Sequence, residues 1–279
     1  MKQLTLVPEG GLGNRMYAVT SAIAFAKEHN VRLNIIWFKD KGMGAGFYDL
    51  FTLSPEIENI EIKEAGLIDF YTSAKPMKSN FFLPRLYRKL KFDAAYIWYK
   101  EKKSVREWYV SQPEAYSSFY IFLCNKFCDN HAFFNLLSPV NTIQKRIDER
   151  TKLLSPHTIG IHIRRTDLTA AIIQSPLSAF IDKMQQEISI HPETNFYVAS
   201  DSKEEKNKLT EIFGDRVITV DNNLKRKTKD GIVDALIELY TLASTKKIIG
   251  SFYSTYSVLA SEIKAIPVEI IQLTKPSMK

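Results

Sequence analysis

The stretch Thr158-Ile159-Gly160-Ile161-His162-Ile163-Arg164-Arg165-Thr166-Asp167 decides the fold. It begins as an apolar strand and ends in an imidazole, two guanidiniums and a carboxylate. Charged groups are costly beside a buried element unless a ligand or a partner compensates them. We therefore expect a sheet of parallel strands with a binding site at the strand ends.

Strands and helices alternate on both sides of this stretch. Short joins between alternating elements are typical of a parallel sheet with helices on both faces. After the first strand at 158–163, we expect strands at 195–199, 217–220, 247–250 and 268–273, and helices at 176–190, 203–213, 232–243 and 254–264. This pattern predicts a Rossmann-like domain over 155–279, preceded by a polar helix at 142–154.

The N-terminal end shows the same pattern once. A short strand ends at Pro8, a glycine-rich turn follows at 10–14, and helical periodicity runs over 15–28 before a second strand at 31–38. This βαβ start predicts a second Rossmann-like domain over 1–154, with an aromatic and basic insertion at about 75–138. The predicted fold class is α/β, with two such domains and a cleft between them.

Composition excludes several classes of protein. The 279 residues are 45% hydrophobic and 25% charged, which is typical of a globular protein and excludes global disorder. Cys124 and Cys128 have no second Cys/His pair at zinc spacing, and two thiols fit a reducing compartment. The N-terminus lacks the apolar core of a signal peptide, and no stretch reaches the length of a membrane span. We expect a cytoplasmic protein.

The net charge of +7 is local. The segment 75–106 contains ten basic and two acidic residues, interleaved with aromatic ones, and the remaining chain is nearly neutral. Such a segment suits an anionic lipid surface at the inner membrane face or an acidic acceptor. A solvated hairpin with core aromatics is the alternative. Single-stranded nucleic acid fits the composition, but no recognition motif accompanies it, so we expect no nucleic-acid partner.

The paired arginines indicate a diphosphate ligand, because guanidinium groups bind phosphate bidentately and stay charged. Strand alternation places His162 and Arg164 on one face and Arg165 on the other. An arginine–aspartate pair that braces the loop is the alternative, and Asp167 fits that role as well as a catalytic one.

Two further segments follow predicted strands. Backbone amides and hydroxyls of 250–257 suit an anion at the start of the last helix, and N-capping by Ser254 or Thr255 is the alternative. Asp201 suits a guanine edge or a ribose, or else caps the next helix. No Asp-x-Asp pair and no histidines at metal-ligand spacing occur, so we expect no metal; arginines and the helix dipole then neutralise the leaving group.

The glycine-rich turn Gly10-Gly11-Leu12-Gly13-Asn14-Arg15 is not a dinucleotide fingerprint. Met16 stands where the third glycine would be, and the second strand ends in Trp37-Phe38 instead of an acidic residue. We expect a loop whose backbone approaches a ligand closely, with Asn14 and Arg15 aimed into the cleft. A tight strand-to-helix turn is the alternative.

Together, the segments 10–15, 162–167, 197–201 and 250–257 resemble the fucosyltransferase superfamily, which includes α1,2-, core α1,6-, nodulation-factor and protein O-fucosyltransferases. The α1,6 and nodulation-factor branch is the most similar. The resemblance covers 159–263 well and about 30 residues at the N-terminus. It implies a GT-B-like pair of Rossmann-type domains and metal-independent, inverting transfer of fucose from GDP-fucose to a glycan acceptor, with no cofactor.

The resemblance also implies residue roles. Arg165 and Arg164 would hold the diphosphate, Asp201 would read the guanosine, His162 would order the site and Asn14 would lie near the sugar. Ser251, Tyr253, Ser254 and Thr255 would meet the same phosphates. The further candidate donor-binding residues, from the glycine-rich turn itself, are Gly11, Gly13 and Arg15. The candidate catalytic residues are Arg165, Asp167 and Asn14.

The chain departs from the α1,6 branch after Asp167. There the branch has a longer segment with a glutamate proposed as the base, whereas this chain has no acid before Asp182. Asp167, Glu9 or no protein base are the alternatives. We expect the acceptor to be a glycan. One form of such an acceptor is a lipid-linked glycan that the segment 75–106 brings near the site. The alternative functions are a transferase that uses another nucleotide sugar and a non-catalytic nucleotide- or sugar-binding protein of the same fold.

Overall fold

The computed structural model describes residues 1–55, 58–75, 82–129, 131–165, 169–222 and 225–273. The strands are β1 (Gln3–Pro8), β2 (Arg32–Trp37), β3 (Phe51–Leu53), β4 (Ile60–Glu64), β5 (Ala94–Ile97), β6 (Ser118–Leu123), β7 (Leu137–Pro139), β8 (Thr158–Ile163), β9 (Asn195–Ser200), β10 (Val217–Ile218), β11 (Ile248–Ser251) and β12 (Val268–Ile271). The helices are α1 (Leu12–His29), α2 (Phe82–Lys91), α3 (Val105–Val110), α4 (Asn141–Thr151), α5 (Thr169–Gln174), α6 (Leu177–Ile190), α7 (Lys203–Phe213), α8 (Lys229–Leu242) and α9 (Thr255–Lys264). Turns of 3₁₀ helix lie at Ile68–Thr72, His131–Leu136 and Gly214–Arg216.

The chain forms two compact units. The first contains Met1–Val140 and Lys225–Val233, and the second contains Asn141–Leu224 and Asp234–Lys279. The units therefore divide before α4, whereas the sequence places the domain boundary after it, at 154/155, and that boundary stays a prediction.

A parallel sheet with strand order β4-β2-β1-β6-β5 forms the centre of the first unit. Its central strands β1 and β6 are each buried at five of their six residues, because both faces of the sheet are covered. The strands β5 and β6 come from the predicted insertion at 75–138, and β6 pairs directly with β1. That segment is therefore part of the sheet, which corrects the prediction. A strand buried on both faces shows no alternation, so its period could not be recognised.

The second unit has the strand order β10-β9-β8-β11-β12, with every pairing parallel. Side chains from β8, β9 and α6, including Ile161, Phe180, Met184 and Phe196, form its core. The strands and helices lie within a few residues of their predicted positions. The short helix α5 was not predicted, because six residues are too few to show a helical period.

The position of β8 in the second sheet locates a binding crevice. The chain runs from β8 to β9 and β10 on one side, and later to β11 and β12 on the other. Where the strand order reverses in this way, a crevice opens outside the carboxyl ends of the two diverging strands. In this sheet the crevice lies at the carboxyl ends of β8 and β11. Within the described ranges, no helix has the length and apolar character needed to cross a bilayer.

Candidate functional site

Three neighbouring strands of the second unit end in polar residues that contact one another. Arg164 follows β8, Asp201 follows β9 and Ser251 ends β11. The backbone N–H of Arg164 donates to Ser251 Oγ at 2.9 Å, and Arg164 Nη1 lies 3.3 Å from Asp201 Oδ2. Because the strands are parallel, residues far apart in sequence meet at one edge of the sheet. The structure thus brings together three of the residues predicted to bind the donor.

Asp201 fixes the backbone that follows β8. Its Oδ1 accepts the backbone N–H of Arg165 at 2.7 Å, while its Oδ2 faces the guanidinium of Arg164. The alternative that Asp201 caps the next helix is wrong, because the N-cap of α7 is Ser202, whose hydroxyl accepts from the backbone of Glu205. Asp201 therefore belongs to the strand-end cluster.

The two arginines have different surroundings. Arg165 Nε donates to Glu205 Oε1 at 2.6 Å, and Arg165 Nη1 donates to the carbonyl of Arg164 at 3.0 Å. The Arg165 side chain is 11% exposed, against 21% for Arg164. Glu205 thus neutralises Arg165 and holds it in place. Sequence reasoning missed Glu205, because an acid in the first turn of a helix is explained by the helix dipole alone.

His162 is buried in β8 and faces the start of α9. Its Nδ1 lies 2.8 Å from Ser257 Oγ and 3.4 Å from Ser254 Oγ, and its ring packs on Tyr256 with a centroid distance of 4.8 Å. Burial, together with the positive charge of Arg164, lowers the pKa of His162 to about 3. The imidazole is therefore neutral at physiological pH, and it links β8 to α9 by hydrogen bonds and packing.

The start of α9 lies beside this histidine. Ser254 occupies the N-cap position, but its side chain makes no capping hydrogen bond and instead faces His162. The first N–H groups of an α-helix have no partner within the helix, and their positive partial charge suits an anion. Tyr253 precedes the cap with a φ of 59° and is exposed, and Thr255 is the first residue of the helix. The predicted hydroxyl loop is thus at the edge that holds Arg164.

Close packing at this edge requires a glycine at position 250. A Cβ there would lie 2.3 Å from Ser257 Oγ, the atom that contacts His162. Sequence reasoning did not select Ser257 or Tyr256 as site residues. Their signal was the spacing of three residues between Ser254 and Ser257, which places both hydroxyls on one face of α9.

The glycine-rich turn lies in the first unit and is held from inside. Gly10 has a φ of +86°, and Arg15 is completely buried. Arg15 donates from Nε to Gly10 O at 2.9 Å, from Nη1 to Phe38 O at 2.6 Å and from Nη2 to Asp40 Oδ2 at 2.7 Å. This corrects the prediction that Arg15 is aimed into a cleft to bind the donor. A guanidinium is buried only where acceptors compensate its desolvation, and two of these acceptors, on Phe38 and Asp40, lie 23 and 25 residues away along the chain.

The other residues predicted in the first unit lie on the same turn. Gly11 holds the N-cap position of α1, and Gly13 and Asn14 are in the first turn of that helix. Their roles toward a donor stay predictions. Asp167 lies outside the described residues, so its role stays a prediction as well. In the part of the chain that the structure describes, no group of three or more His, Cys, Asp or Glu residues is placed to hold a metal ion.

Solved structures share this architecture over nearly their whole length. The NodZ α-1,6-fucosyltransferase structure soaked with GDP-fucose matches 96% of this chain and 94% of its own, with a TM-score of 0.67 and 17% identity. This chain has the fold of a fucosyltransferase. NodZ from Bradyrhizobium matches 93% of this chain and 92% of its own, with a TM-score of 0.64 and 17% identity. POFUT1 in complex with GDP-fucose matches 98% and 99%, with a TM-score of 0.61 and 11% identity.

No family model matches the sequence, and no curated protein matches it. The likeness to the solved fucosyltransferases is therefore one of fold. It confirms the predicted fold class, an α/β protein of the GT-B-like type with two Rossmann-type sheets. It also agrees with the superfamily resemblance that the motifs indicated.

Proposed function

We propose that this chain is a glycosyltransferase that moves fucose from GDP-fucose to a glycan acceptor, with inversion at the anomeric carbon and without a metal ion. The observation that supports this most strongly is the meeting of Arg164, Asp201, His162 and Ser251 at the carboxyl edge of the second sheet. The solved structures with the same fold include NodZ soaked with GDP-fucose and POFUT1 in complex with GDP-fucose.

We assign the diphosphate first to Arg164. Of the two arginines it is the more exposed, and its ion pair with Asp201 is longer than the pair of Arg165 with Glu205. Departing GDP gains negative charge as the glycosidic bond breaks, and preorganised positive groups lower the energy of that state. The guanidinium of Arg164 and the first amides of α9 supply those groups, with Ser251, Ser254, Thr255 and Tyr253 around them. Arg165 belongs to the same loop, which it holds in place through its backbone N–H bonded to Asp201 and its side-chain ion pair with Glu205.

In this proposal His162 orders the site and Asp201 contacts the donor. His162 stays neutral because its pKa is about 3, so it adds no charge and instead holds α9 against β8. Asp201 lies at the same strand-end edge as Arg164, and a carboxylate at this position suits the N–H edge of guanine or a ribose hydroxyl, which is the role we propose for Asp201.

The glycine-rich turn of the first unit keeps the role that the fucosyltransferase resemblance implies. We propose that the backbone of Gly11 and Gly13 and the side chain of Asn14 lie near the fucose. The acceptor proton is taken by Asp167 or by Glu9, or it is lost late in the reaction without a protein base; these are the same alternatives that the sequence offers. The acceptor is a glycan or a lipid-linked glycan, and the protein acts in the cytoplasm, in peripheral contact with an anionic membrane through 75–106.

Calorimetric titration tests the donor assignment. GDP, GDP-fucose, GDP-mannose, UDP-glucose and NADH are titrated separately in EDTA, so that no metal ion contributes. We expect GDP and GDP-fucose to bind, UDP-glucose and NADH not to bind, and GDP-mannose to bind more weakly than GDP-fucose. Failure of every guanine nucleotide to bind would reduce the assignment to a shared fold, and a preference for UDP-glucose would indicate another donor.

Turnover separates a transferase from a binding protein of the same fold. GDP release from GDP-fucose is measured with a panel of glycan acceptors, and the product is analysed by mass spectrometry. Transfer to any acceptor with a mass increase of one fucose supports the proposal. Tight GDP-fucose binding with no GDP release above the rate without protein would identify a non-catalytic binding protein.

A further inference from the structure

Large apolar side chains are exposed on two adjoining elements of the first unit. They are Leu67, Ile68, Phe70 and Tyr71 at the 3₁₀ turn, and Phe82, Leu83 and Leu90 on α2. We call this set the α2 surface. Single exposed apolar residues are ordinary, but a group of this kind marks a contact with a membrane or another molecule.

The helix α2 turns an apolar row outward. Phe82, Leu86 and Leu90 are spaced by four residues, so they form one row along the helix. Phe82 is 71% exposed and Leu90 is 78% exposed, and no residue of α2 is buried. A helix on the surface of a globular protein normally turns its apolar stripe toward the core. In α2, by contrast, the two ends of the apolar row, Phe82 and Leu90, are exposed, and Leu86 between them is half-buried.

Contacts on the inner side fix this orientation. Arg88 Nη1 donates to the carbonyl of Ser73, and the guanidinium lies 5.9 Å from the ring centroid of Tyr120. The ring of Tyr87 lies 6.0 Å from that of Tyr71, which joins α2 to the 3₁₀ turn. The helix is thus attached by a basic and an aromatic side chain, while Phe82, Leu83 and Leu90 are exposed.

Positive charge lines the apolar row. The segment 82–91 has four basic residues and no acidic one. Two of them, Arg85 and Lys89, are exposed and form the row next to Phe82 and Leu90, again with a spacing of four. Apolar and basic rows side by side are typical of a helix that lies in the interface of an anionic membrane.

We infer that the α2 surface docks on an anionic lipid bilayer, with Phe82, Leu83 and Leu90 in the boundary between headgroups and acyl chains and Arg85 and Lys89 on the phosphates. This goes beyond the proposed transferase activity, since it requires no nucleotide. It also narrows the predicted contact of 75–106 to one helix and the adjoining turn. Single-stranded nucleic acid suits the surface less, because leucine side chains offer no face on which a base stacks.

Vesicle sedimentation with the full chain tests this inference. Vesicles of equal parts phosphatidylcholine and phosphatidylglycerol are compared with vesicles of phosphatidylcholine alone. We expect binding to the anionic vesicles that weakens as salt is raised. The variant Arg85→Glu/Lys89→Glu should weaken binding by about 30-fold or more, since it removes two surface charges that attract the lipid.

A second variant tests the apolar row. Phe82→Ser/Leu90→Ser keeps every charge and should weaken vesicle binding by more than about tenfold, because two large apolar side chains no longer enter the interface. The matched controls are Leu153→Ser/Ile190→Ser, which changes two exposed apolar residues of the second unit, and Lys145→Glu/Lys152→Glu, which reverses two exposed charges there. Both controls should bind the vesicles like the unchanged protein.

Several results would overturn the inference. These are no binding to anionic vesicles, equal loss in the variants and their controls, and loss on charge reversal while the serine variant binds normally. Preference for a single-stranded oligonucleotide over vesicles would also overturn it. Thermal unfolding of every variant is measured to check that the fold is kept. Because no nucleotide is present, the result does not depend on whether the chain binds GDP.

Discussion

Replacement of Arg15 by Met tests whether this residue is an internal brace. The guanidinium is completely buried and donates hydrogen bonds to Gly10, Phe38 and Asp40. It also lies 5.0 Å from the ring centroid of Trp37. Methionine keeps the apolar stem and its packing but removes the charge and all three hydrogen bonds. The variant thus isolates the polar contribution of the brace.

The structure sets the size of the effect. Removal of one partner from a buried ion pair costs about 3–5 kcal/mol when the other charge is left uncompensated. Here Asp40 retains a second partner, Lys75, at 2.6 Å, and it is partly exposed, so its charge is not left alone. The carbonyls of Gly10 and Phe38 lose their donor. We therefore expect Arg15→Met to lower the free energy of unfolding by about 3 kcal/mol, the lower end of that range.

Urea unfolding followed by tryptophan fluorescence measures this change. Trp37, Trp98 and Trp108 all lie in the first unit, so the signal reports the unit that contains Arg15. The control is Arg32→Met, because Arg32 is exposed and 3.6 Å from the exposed Glu61; this pair should contribute less than about 1 kcal/mol. Equal stability of the two variants would refute the brace. Normal stability of Arg15→Met together with lost GDP binding would restore the donor-binding role.

Three further predictions concern the second unit. In an NMR titration, the His162 ring should stay neutral until about pH 3, and a midpoint at the ordinary value of 6.5 would contradict its burial. Gly250→Ala places a Cβ 2.3 Å from Ser257 Oγ, so urea unfolding should show a loss of about 1–3 kcal/mol, and no loss would show that α9 can move away freely. Burial opposes ionisation of Glu187, but Lys247 at 2.7 Å holds the pKa of the carboxyl below its ordinary value. The ion pair therefore contributes its full stabilisation at a pH above the unfolded-state pKa of Glu187. This stabilisation is lost as the pH falls through the folded-state pKa of Glu187. Glu187→Gln should be less stable than the unchanged protein at neutral pH, with a difference that shrinks in acid, and a difference independent of pH would contradict the assignment.

The second unit was predictable because its elements are short and regular. The strand Thr158–Ile163 and the helix Lys203–Phe213 lie where the periodicity placed them. The first unit was harder, since β6 is buried on both faces and lies in the aromatic and basic stretch 75–138, which was predicted to be an insertion. Only the pairing of β6 with β1 shows that the run is central, and that pairing joins residues more than a hundred positions apart.

For the site, the strand ends could be predicted and their partners could not. Arg164 and Asp201 follow apolar strands and Ser251 ends one, which is a local signal. The partners of Arg165 and Arg15, which are Glu205 and Asp40, depend on which segments the fold brings together. Nothing in the sequence around Arg15 indicates that its side chain is buried. A charge beside a glycine turn therefore suggested a ligand, whereas the compensating acceptors were inside the protein.

The measurement that tests the central claim most directly is calorimetric titration of GDP into Arg164→Ala and Arg146→Ala. Arg146 is an exposed arginine of the second unit with its own aspartate partner, Asp234, at 2.7 Å, so its variant removes the same charge away from the strand ends. A charge-assisted hydrogen bond contributes about 1.5–3 kcal/mol, so Arg164→Ala should weaken GDP binding by about 10- to 150-fold. Arg146→Ala should bind like the unchanged protein. Equal GDP affinity in the two variants would contradict the claim that the edge of β8, β9 and β11 holds the diphosphate.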